Sequence, residues 1–133
     1  MSVFRIKKID SFEKIEWNIS GMRITRKYEI INKGDEAEVS EYEMHCVTGG
    51  GMEPHLERRV LCPNEKILEI LNSVEAVKWD GFHGKHPRGV LDGETFSFEA
   101  VINNNQTIKA GGSAKFPKHF RDFERAVYEL LNV

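Results

Sequence analysis

Through the first half of the chain polar and apolar residues alternate with a period of two, and beyond Pro63 the period becomes that of a helix. This switch constrains the fold more than any other feature, because side chains change face at every residue of a strand but recur every 3.6 residues along a helix. Ile15, Trp17 and Ile19 alternate with Glu16, Asn18 and Ser20; after Gly21, Met22, Ile24, Tyr28 and Ile30 stand against Arg23, Thr25, Lys27 and Glu29. Each such strand has one wet face. Asn32-Lys33-Gly34-Asp35 reads as a turn, the segment 36–47 carries Tyr42, Met44 and Cys46 on one face, and Thr48-Gly49-Gly50-Gly51 reads as the next turn. A short strand from Leu56 to Leu61 closes this meander.

Pro63 fits the first position of a helix, where its missing N–H costs nothing, and Ile67, Ile70, Leu71 and Val74 follow at i, i+3, i+4, i+7. A second helix is expected from Pro117, with Phe120, Phe123, Val127, Leu130 and Leu131 on one side and Phe116 packed on Phe120 as a hydrophobic staple. Between the helices lies a hairpin. For Phe96, Phe98, Ala100 and Ile102 to share a face with Ile108 and Ala110, paired residue numbers must sum to an even value, so the loop is odd in length. Three residues, Asn103 to Asn105, satisfy this, and asparagine tolerates the left-handed conformation in which such loops end. The order strands, helix, hairpin, helix predicts a single α+β domain over residues 1–133: an antiparallel sheet of about five to six strands with both helices on one face.

A chain of 133 residues is long enough to bury a core without a staple, and its 40% apolar and 30% charged residues are those of an ordinary globular protein. The formal net charge of -2 gives no electrostatic reason to expect nucleic acid or an anionic membrane as partner. No apolar run reaches signal-peptide or membrane-span length, so a cytoplasmic address is expected. Cys46 and Cys62 match no zinc or redox spacing and are expected to be unpaired thiols acting as small core residues.

The stretch Trp79-Asp80-Gly81-Phe82, then Val90-Leu91-Asp92-Gly93 with Phe96 and Phe98, then Gly112-Ser113 and Phe116-Pro117 with Phe120, covers about the C-terminal half. It resembles a family of small uncharacterised bacterial proteins and domains with a W-x-G-F … L-D-G-x-x-F-x-F … G-S-x-x-F-P pattern. The resemblance implies no particular activity, and the paired histidines His83 and His86 are not part of the pattern.

Three groups of residues invite a functional reading. His83 and His86, with Asp80 and Asp92 nearby in sequence, supply the ligand types of a catalytic zinc site, but a loop with an intervening glycine does not enforce the geometry, and solvated histidines are the simpler expectation. Gly111, Gly112, Ser113, Lys115 and Lys118 form an anion-binding candidate, because glycines would let an anion approach the amides of a helix N-terminus. Lys115, Lys118, His119 and Arg121 crowd that end, where cations oppose the helix dipole. Ser113 lacks the following glycine of a nucleophile elbow. Trp79, Asp80, Phe82, Asp92 and Phe116 are expected to be structural, the aromatics filling the core where helix meets sheet and the aspartates closing turns. The expectation is a non-catalytic module, monomer or homodimer, that needs no cofactor and binds a small anion, another ligand or a protein. The alternative is a small hydrolase using the histidine pair or the helix end.

Overall fold

The computed structural model describes residues 8–21, 24–84 and 94–132. It is α+β. Strands β1 (Phe12–Ser20), β2 (Thr25–Asn32), β3 (Glu36–Cys46) and β4 (Met52–Pro63) form an antiparallel meander, followed by helix α1 (Asn64–Ser73) and a 3-10 turn at Ala76–Trp79. The two-residue strand β5 (His83–Gly84), the hairpin β6 (Thr95–Ile102) and β7 (Gln106–Ser113), and helix α2 (Phe120–Leu131) complete the chain. The sheet has seven strands in the order β4-β3-β2-β1-β6-β7-β5, more than the five or six expected. The additional strand is β5, which runs parallel to β7, too short to announce itself by alternation.

Trp17 of β1 pairs with Tyr28 on one side and Phe98 on the other, so alternate residues of the central strands line up on one face. Phe12, Ile15, Trp17, Ile30, Ala37, Val39, Phe96, Phe98, Ala100, Ile102 and Ile108 are buried there, in the same cluster as Ile67, Ile70 and Leu71 of α1 and Phe120, Phe123, Val127 and Leu131 of α2. Both helices therefore cover one side of the sheet. In β3 Ala37, Val39 and Glu41 alternate on the helix-facing side, so Tyr42, Met44 and Cys46 do share a face, but the outer one, where only Ser40 of this strand is also buried. Cys62 is buried as expected, whereas Cys46 is exposed near the hairpin end; both are free thiols.

The hairpin loop is Asn103–Asn105, and all three asparagines adopt positive φ, at 38°, 60° and 69°. The Asn103 side chain accepts from the backbone N–H of Asp10 and Ser11 and donates to the Lys8 carbonyl, while Asn72 exchanges two hydrogen bonds with the Ile9 backbone. The start of the described chain is thus stitched to both a helix and the β6–β7 turn. No helix among the described residues is long and apolar enough to cross a membrane.

Candidate functional site

The Trp79–Gly84 segment runs along the free edge of β7, and each residue of the W-D-G-F motif has a structural task there. Trp79, 2% exposed, packs against Phe98, Phe120 and Phe123, and its indole N–H donates to the Lys118 carbonyl at 3.0 Å. Asp80 accepts from the Lys109 backbone N–H, and Gly81, at φ 81°, donates to the Lys109 carbonyl. Phe82 packs on Phe96, and its carbonyl accepts from Gly111. Phe96 also stacks on Phe116, which stacks on Phe120, so the expected contact is made, though with the helix starting at Phe120 it joins the preceding turn to the first helical residue and is not a staple.

Helix α2 begins at Phe120, three residues later than expected, after His119 in the left-handed region. Gly111 and Gly112 consequently belong to β7 and not to the approach to a helix N-terminus. Their smallness has a packing reason: a Cβ on Gly112 would stand 2.7 Å from the Lys115 carbonyl oxygen and 3.1 Å from Gly84, and one on Gly84 would meet Lys115 at 2.9 Å. A side chain at either glycine would meet the chain's own backbone, which is reason enough for glycine there. Two of the four basic groups at this end are matched by carboxylates, Arg121 by Glu94 at 2.7 Å and Glu124 at 2.8 Å, and His119 by Asp122 at 3.2 Å. Lys115 and Lys118 lie in the turn preceding the helix, after Ser113 at the end of β7.

His83 is an exposed residue of β5, and no group of three metal-type ligands among the described residues includes it. Its suggested companions His86 and Asp92 lie outside the described residues.

A different place on the molecule gathers unusual polar groups. Where α2 leaves the sheet incompletely covered, a cleft of about 290 Å³ is lined by Trp17, Tyr28, Glu124, Arg125, Val127 and Tyr128. Trp17 and Tyr28 stack with ring centroids 5.0 Å apart, and Phe123 meets Trp17 edge-on at 4.7 Å. The Trp17 indole N–H is buried with no hydrogen-bond partner, although the residue is only 1% exposed. An unmade hydrogen bond at a buried donor costs about 1–3 kcal/mol, and the residue that bears this cost also lines the cleft.

Beside the cleft, Glu41 is buried on the helix-facing side of β3. It accepts from the Tyr28 hydroxyl at 2.8 Å and from Arg58 Nε at 2.9 Å, while Arg58 also lies 4.6 Å above the Tyr128 ring and donates to Asn132. Burial pushes the Glu41 carboxyl up, but the hydrogen bonds from Arg58 and Tyr28, with the charges of Arg58 and Arg26, outweigh it and leave the pKa below the usual value. Burial, the hydrogen bond to Glu41 and its charge raise the Tyr28 hydroxyl well above its ordinary range. Burial also raises Glu124, against the lowering effect of Arg121. The sequence did contain a signal for this network. Glu41 occupies an apolar position of the Ala37, Val39 alternation, and a carboxylate there needs a cation from the next strand.

Compared with models of known protein families, with curated proteins and with solved structures, the chain matches none.

Proposed function

We propose that this protein is a non-catalytic binding module that takes a small, mainly apolar ligand carrying a hydrogen-bond acceptor into the cleft between β1, β2 and α2. The observation that carries the reading is the cleft itself, walled by the stacked Trp17 and Tyr28 rings, one of which holds an indole N–H with no acceptor. A concave site of this size, walled by aromatic rings and holding few polar groups, suits such a ligand. The titratable groups beside it favour binding over catalysis, since Glu41 is engaged by Tyr28 and Arg58 and Glu124 by Arg121. The cytoplasmic address belongs to the same proposal and is supported by the two unpaired thiols.

The test uses benzamide, which offers a carbonyl acceptor, and ethylbenzene, which does not, with chemical-shift mapping of the intact protein. Benzamide is expected to shift the Trp17 indole, Tyr28, Val127 and Tyr128 signals saturably and to bind more tightly than ethylbenzene. Trp17→Phe keeps a ring and removes the donor, so it should bring the two probes to equal affinity. Perturbations scattered away from these four residues, or no saturable shift with either probe, would overturn the reading.

A further inference from the structure

The β3–β4 hairpin extends beyond the helices and carries on its helix-facing side Glu43 and His45 of β3, in the same alternation as Ala37, Val39 and Glu41. The facing strand breaks register here. Glu41 pairs with Arg58 but Tyr42 pairs with Leu56, which leaves Glu57 as the additional residue of a β-bulge. A bulge re-aims a side chain that regular alternation would send elsewhere, and it brings Glu57 to the other two. Ligand atoms of Glu43, His45 and Glu57 all lie within 4.8 Å of one another, the one group of three such side chains among the described residues.

Several other carboxylates of the sheet meet lysine or arginine, as Glu16 and Glu29 meet Lys14 and Lys27, and Glu41 meets Arg58. Glu43 is paired instead with His45 at 3.2 Å. Two carboxylates have thus been brought together around an imidazole nitrogen. The ring of a second histidine, His55, stacks on His45 with centroids 4.1 Å apart and is itself held by Glu53 at 3.3 Å, so the His45 ring is backed from one side.

We propose that this cluster binds one divalent transition-metal ion of the zinc class, with Glu43, His45 and Glu57 as ligands. One imidazole nitrogen and two carboxylate oxygens match the donor preference of zinc, and the two negative charges balance the ion. Tetrahedral coordination at zinc bond lengths places ligand atoms about 3.3 Å apart; Glu43 and His45 already stand at 3.2 Å, and the remaining separations need to close by at most about 1.5 Å, a movement that rotation of a surface glutamate side chain supplies. The fourth position is left to water. The site is separate from the cleft at Trp17 and does not depend on its having a ligand.

The experiment is calorimetric titration of the full, metal-stripped chain with zinc chloride at neutral pH, with calcium chloride as a second arm. Saturable binding of one zinc per chain is expected, weakened at least about tenfold in Glu57→Gln and in His45→Ala and unchanged in His83→Ala. Because the three side chains lie at the surface, both weakened variants should melt with the wild-type protein in the presence of a chelator. Absence of saturable zinc binding, equal affinity for calcium, or binding that survives both substitutions and disappears in His83→Ala would each overturn the proposal.

Discussion

Replacing Trp79 by alanine should be among the most damaging single changes in the protein. The side chain is 2% exposed, touches three phenylalanine rings at centroid distances of 5.2, 5.3 and 5.5 Å, and donates a hydrogen bond to the Lys118 carbonyl. Truncating a buried Trp to Ala costs about 3–5 kcal/mol through lost burial and the cavity left behind. The upper half of that range applies here, because the Lys118 carbonyl also loses its donor. A domain of this length has about 5–15 kcal/mol of stability in all, so the variant should retain a cooperative transition at a much lower urea midpoint with an unchanged slope. Trp79→Phe separates the two contributions: it keeps most of the ring and loses the N–H, and should cost about 1–2 kcal/mol. Urea unfolding followed by circular dichroism measures both. If Trp79→Ala falls within about 0.5 kcal/mol of wild type, the assignment of the W-D-G-F motif to structure is wrong.

Two further outcomes follow from the buried carboxylate and the thiols. Because the Glu41 pKa is lower folded than unfolded, its contribution is complete above the unfolded value near 4.5 and disappears as pH falls through the folded one. Glu41→Gln should therefore be less stable than wild type by about 1–3 kcal/mol at pH 7, and the gap should close in strong acid; urea midpoints at the two pH values that differ by the same amount would contradict this. A thiol reagent should modify Cys46 rapidly in the native protein and Cys62 only on unfolding, giving two thiols in denaturant without reductant; fewer than two would disprove the free-thiol assignment.

The parts of the fold that were legible in the sequence are those that depend on one face being buried. The hairpin loop at Asn103–Asn105 followed from parity alone, since any even loop would have turned Ile108 and Ala110 away from Phe98 and Ala100. The helical periodicities of α1 and α2 were visible for the same reason. Strand β4 was expected to be short because Met52 to His55 show no apolar alternation, and its length rests on backbone pairing with β3 beyond the reach of the helices. The left-handed His119 delays α2 by three residues, which no side-chain pattern announces. The site residues were less legible. The glycines at 111 and 112 suggested an anion, and their close packing on Phe96, Gly84 and Lys115 was not readable, because those neighbours are distant in sequence or reached by a turn. The bulge that turns Glu57 toward His45 is a property of a strand pair, invisible in either strand read alone.

The sheet order bears on how the chain acquires its fold during synthesis. Strand β1 lies at the centre, with β2 on one edge and β6 on the other, so its second neighbour arrives only after the meander and α1 have been made. Phe96, Phe98, Phe120 and Phe123, which complete the surroundings of Trp17 and Trp79, all come from the last third of the chain. Until Thr95–Leu131 has left the ribosome, the nascent meander presents an aromatic face with nothing to lie on it and an open strand edge along β1. Contacts between such distant parts of a chain close slowly. The period of greatest vulnerability to aggregation therefore ends with the appearance of the C-terminal hairpin and helix, and a truncation before Thr95 would leave the ribosome with its central strand half paired.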